Sequence, residues 1–67
     1  MLEKNQILYS PDNMKKARKK AGFTQESAAE QLGVSVEAVR SWEQGKSEPQ
    51  VSNLRAAGRL YGISFIV

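Results

Sequence analysis

The sequence contains no cysteine and no histidine. The first absence rules out disulfides and thiolate metal sites, and the second removes the commonest general base and metal ligand. There is no apolar run near the roughly 18 residues that span a bilayer. Glu3, Lys4, Asn5 and Gln6 interrupt any apolar core at the N-terminus, so no signal peptide is expected and a cytoplasmic protein is. No linker, internal repeat or low-complexity stretch interrupts the 67 residues, which are expected to form a single domain, 1–67. At this size a chain buries only about 60% of the surface it exposes when unfolded. An enclosed catalytic cleft is hard to build under that limit, and with no phosphate-binding glycine loop and no paired carboxylates an enzyme is not expected. No cofactor or metal is expected either.

Ten basic and seven acidic residues leave a formal charge of +3. Lys15, Lys16, Arg18, Lys19 and Lys20 form one basic stretch. A basic balance favours an anionic partner, but a stretch like this is equally well a solvated helix face.

The punctuation divides the chain into four helices. Ser10-Pro11 pairs an N-cap with a proline at the first helical position, and Met14, Ala17, Arg18 and Ala21 recur at helical spacing, predicting a helix over 11–21. Thr24 caps a second over 25–32, with Ala28, Ala29 and Leu32 inward. Ser35 caps a third over 36–44, with Ala38, Val39 and Trp42 inward. A fourth over 51–61 aligns Val51, Leu54, Ala57, Gly58 and Tyr61. Ile7-Leu8-Tyr9 and the apolar segment 63–67 are β-prone and are expected to pack on the bundle, possible partners in a two-stranded pair. Alternation places Ile63, Phe65 and Val67 on one face and Ile66 on the other, where a second subunit has room to cover it.

The joint between the second and third helices is the informative feature. Gly33 permits a sharp turn, Ala29 permits a close crossing and Val39 fills the space beneath, leaving the third helix protruding. Residues 24–35, TQESAAEQLGVS, together with Val39, Trp42-Glu43-Gln44-Gly45-Lys46 and Pro49, resemble the helix-turn-helix of the lambda-repressor and Cro (XRE-type) family. With Arg18 and Gly22 upstream and Gly62 downstream, the resemblance covers about residues 14–63, and the ordered set is specific where each element alone is not. It implies an all-α fold, a four- to five-helix bundle with a helix-turn-helix at about 24–45, and a sequence-specific regulator of transcription, a repressor above all, that binds double-stranded DNA. A two-fold homodimer on paired half-sites is the matching geometry. An antitoxin or another protein-interaction module on the same bundle is the alternative.

The same resemblance puts Ser35, Val36, Glu37 and Arg40 toward the bases. It puts Gln25, Ser41, Lys46 and Ser47 on phosphates, with Gln25 also able to brace a reader on the third helix. Arg18 and Glu43 correspond to an ion pair tying the first helix to the third. The chemistry is consistent: a guanidinium can give two hydrogen bonds to guanine O6 and N7, and a carboxylate can accept from cytosine N4. Glu37 is equally placed to pair with Arg40 three residues on. Ala28 stands where the family usually has leucine, Gly58 where it has alanine and Tyr61 where it has leucine. The first two shrink the expected core, and the rings of Tyr61 and Phe23 are expected to refill part of it.

Overall fold

The computed structural model describes residues 5–66. The order is β1 (Gln6–Leu8), α1 (Pro11–Lys20), α2 (Gln25–Leu32), α3 (Val36–Gln44), α4 (Val51–Tyr61) and β2 (Ser64–Ile66). Each of the first three helices begins where a hydroxyl satisfies an orphan amide. Ser10 Oγ accepts from Asn13 N–H at 3.0 Å, Thr24 Oγ1 from Ser27 N–H at 2.9 Å, and Ser35 Oγ from Ala38 N–H at 3.2 Å. Ser27 answers Thr24 reciprocally, so a serine closes the capping box usually closed by Glu or Gln. The helix predicted over 11–21 stops at Lys20, with Ala21 as its cap.

The core is Met14, Ala28, Ala29, Val39, Trp42, Leu54, Ala57 and Tyr61, with Phe23, Phe65 and Ile63 packed against it. Phe23 and Tyr61 pack against each other at 6.0 Å between centroids, tilted by 46°. Two expectations fail at helix ends. Ala21 is exposed, and so is Val51, at 58%. Both lie on an inward azimuth, but each sits at a terminus beyond the reach of the packed layer. Periodicity defines a face, not how far along the helix its neighbour extends.

The two end segments pair as a two-stranded parallel sheet, with Ile7 opposite Phe65 and Leu8 opposite Ile66. Parallel strands require a long crossover, and here the whole helical bundle serves as one. Tyr9 extends the clasp by donating its N–H to Ile66 O at 2.6 Å and packing its ring edge-on to Phe65 at 6.3 Å. The expected place of Val67 lies outside the described residues. None of the helices is long and apolar enough to cross a membrane among the described residues.

Candidate nucleic-acid interface

α2 and α3 meet through Gly33, which adopts φ +71°. Its left-handed backbone is available to glycine without a steric penalty, and it lets Val34 N–H return to Ala29 O at 3.0 Å. The helices pack together with Ala29 of α2, at 3% exposure, and Val39 of α3, at 0%, both buried in the core. One face of α3 is thereby fastened through Val39, Trp42 and Glu43. The solvent side presents Glu37 and Arg40, while Val36, half-buried, packs against the edge of the core next to the Ser35 cap. The Glu37 side chain is 73% accessible and that of Arg40 37%, and the two are joined as an i,i+3 ion pair.

Behind this face lies a buried polar knot. Arg18 of α1 donates Nε to Glu43 Oε2 at 2.7 Å and Nη2 to Oε1 at 3.0 Å, a two-pronged contact, and Nη1 to Phe23 O at 2.8 Å. Gln25 Nε2 adds a third donor to Glu43 Oε1, at 3.2 Å. Among the described residues, no buried side-chain nitrogen or oxygen lacks a partner.

The family model described as helix-turn-helix matches residues 14–67, which takes in α2, the Gly33 turn and α3. The chain belongs to the helix-turn-helix family. It is similar to the HTH-type transcriptional regulator ImmR of Bacillus subtilis (strain 168), with 35% identity over 51 residues. That match takes in 76% of this chain but 40% of the relative, so the chain spans about two fifths of the length of the curated relative it matches. No solved structure gives a significant match.

Within this helix-turn-helix, the candidate residues fall into two groups. Ser35, Val36, Glu37 and Arg40 share the first two turns of α3 and its cap. Ser41 is half-buried, and its carbonyl accepts from the N–H groups of Gly45 and Lys46 as α3 ends; Lys46 and Ser47 follow on the exposed loop. Gln25 stands at the start of α2, but its side-chain amide is engaged by Glu43. It braces the anchor of α3 rather than a reader on it.

Tyr9 is a contributor that the sequence reading missed. Its hydroxyl donates to Trp42 O at 3.1 Å, satisfying one of the carbonyls left open at the end of α3. Nothing local in the sequence signals a contact across 33 positions. Tyr9 has a phenol pKa raised by burial first and by Glu48 second.

Tyr61 packs near the Arg18–Glu43 pair, and burial pushes its phenol up to about 12, with Glu43 adding to the shift and Arg18 opposing it. An unfolded tyrosine ionises near 10. The folded state therefore holds this proton more tightly. Its contribution to stability is fully present below pH 10 and is lost as pH rises toward about 12. Phenolate absorbance against pH should show a late-titrating tyrosine in the folded protein, and denaturant midpoints should fall over the same window. A Tyr61→Phe variant that keeps the late absorbance step would assign it elsewhere.

Proposed function

We propose that this chain binds double-stranded DNA sequence-specifically and regulates transcription by occupying its site, as a repressor. The observation that carries the reading is the disposition of α3. One face is fastened by Val39, Trp42 and the Glu43 knot, while Glu37 and Arg40 stay accessible and Val36 lies half-buried at the edge between them. A helix held this way can enter a major groove as a rigid body. Membership of the helix-turn-helix family and likeness to a transcriptional regulator support the same reading.

In this reading Arg40 reads guanine through O6 and N7, Val36 meets a thymine methyl, and Ser35 joins them while capping the helix. Gln25 uses its remaining amide proton and the N-terminus of α2 on a phosphate. Ser41, Lys46 and Ser47 take the flanking backbone. Glu37 partners Arg40 in the free protein, so the guanidinium arrives pre-oriented, and the carboxylate either accepts from cytosine N4 or yields Arg40 to the base. Two copies on half-sites one helical turn apart complete the arrangement.

Selection of bound sites from a random duplex pool tests the reading directly. A recovered consensus supports it, and recovery of no preferred sequence overturns it. Affinity should fall with salt, with a log–log slope of roughly −0.9 per neutralised phosphate. Arg40→Ala should weaken the selected site by about 1–3 kcal/mol and relax preference at one base pair. Lys46→Ala should weaken all sequences alike. Equal losses across sequences for Arg40→Ala would make that residue a phosphate contact instead.

A further inference from the structure

Charge in this protein is segregated by helix. α2 and α3 carry Glu26, Glu30, Glu37 and Glu43 against a single cation, Arg40, whereas α1 and α4 carry seven cations against a single carboxylate, Asp12. The positive charge is therefore concentrated outside the two helices that form the candidate nucleic-acid interface.

Part of it points away from that interface. Arg18 is turned toward α3, where it grips Glu43. At 3.6 residues per turn, Lys16 and Lys20 lie about 160° around α1 from Arg18. They border a groove instead. A depression of about 560 Å³ lies between α1 and the end of α4, with Ala17, Lys20, Tyr61 and Ile63 in its lining. A second of about 250 Å³ lies between α4 and β2, with Arg55, Arg59 and Phe65 in its lining. Ile63 lines both and forms an apolar divide between them. Asp12 faces Lys16 at 3.1 Å, an exposed pair that offsets that one cation; among the described residues, Lys20, Arg55 and Arg59 are in no ion pair with a carboxylate.

We infer that this face is a second docking surface, distinct from the α3 face, and that its occupant is an acidic, amphipathic segment of a partner protein. The chemistry selects that occupant. Carboxylates on the segment meet Lys20 and Arg59 across the divide, and one or two large apolar side chains enter the depressions beside Ile63. A duplex has phosphates for the cations but nothing to fill the apolar floor. A bilayer surface is flat and does not enter concave depressions. The inference does not depend on the DNA reading, because none of these residues belongs to the α3 face.

The test uses the full chain, immobilised and panned against displayed random 12-residue peptides. Recovered binders are then measured by fluorescence anisotropy against wild type, Lys20→Glu and Arg59→Glu, with amide shifts mapped by NMR. The expected result is enrichment in Asp and Glu together with Leu, Phe or Trp. Each charge reversal should weaken binding tenfold or more with melting temperature unchanged, and shifts should centre on Ala17, Lys20, Ile63 and Arg59. Four results overturn the inference: binders without acidic enrichment, affinity indifferent to both reversals, shifts confined to α3, and self-association of the wild type that either reversal abolishes. Displacement of the peptides by random duplex or by anionic phosphatidylglycerol vesicles, with affinity for these lost in the same variants, would assign the face to that competitor instead.

Discussion

Glu43→Ala is expected to remove most of the stability of this protein. Its carboxylate is 1% accessible and Arg18 7%, and the two are joined by a pair of short hydrogen bonds. Deleting one partner leaves the other buried and unpaired, which typically costs about 3–5 kcal/mol. A 67-residue domain has on the order of 3–10 kcal/mol in total. Three donors lose their acceptor at once, those of Arg18 Nε and Nη2 and that of Gln25 Nε2. Arg18→Ala should cost a similar amount, since it also releases Phe23 O. Urea melts of both single variants and the double variant provide the check. The double should lose clearly less than the two singles added together, because each single already breaks the shared contact. Additive losses would show that the pair contributes no coupling. DNA affinity, measured where each variant is still folded, should fall too, since the same knot holds α3, which carries the proposed readers, against the bundle.

Gly58→Ala carries the second large effect, and its sign runs against helix propensity. Alanine in a helix interior is favoured over glycine by about 1 kcal/mol, and judged on α4 alone the substitution should stabilise. A Cβ at position 58 would stand 2.7 Å from Ile63 O and 3.6 Å from Phe65 N. The obstacle is backbone, held by the hydrogen bond from Ile63 N–H to Gly58 O at 2.8 Å and by the pairing of β2 with β1. It cannot rotate aside as a side chain would. Overpacking of this kind costs about 1–3 kcal/mol, and a net loss of stability is expected. The damage should concentrate on the β1–β2 clasp, so hydrogen exchange at Ser64 and Phe65 should accelerate more than exchange within α2. A variant at least as stable as wild type would show that the clasp gives way without cost. The glycine that departs from the family pattern is thus no simple loss of core volume. It is the place where the returning chain lies directly on α4.

The boundaries of α2, α3 and α4 were legible as local chemistry. Thr24 and Ser35 satisfy amides within three residues of themselves, and Gly33 and Gly45 turn the chain immediately after the last helical residue. Ala29 and Val39 were legible as inward positions of α2 and α3 from their helical spacing, and both are buried. The pairing of Arg18 with Glu43 came through resemblance, since charge alone offers Arg18 any of seven acidic partners.

What the sequence by itself determined is therefore the four helical segments, their inward faces and the turn that sets α3 on α2. These depend on contacts within about four residues along the chain, and so are encoded where they are read. Only the tertiary structure decided the parallel sense of β1 and β2, the hydrogen bond from Tyr9 to Trp42, the capture of Gln25 by Glu43, the exposure of Val51, and the need for glycine at position 58. It also decided that the basic stretch of α1 splits, with Arg18 turned into the knot while Lys16 and Lys20 line the opposite side. Each of these depends on where one element ends against another. That is a property of packed bodies, and the spacing of residues within any one segment does not contain it.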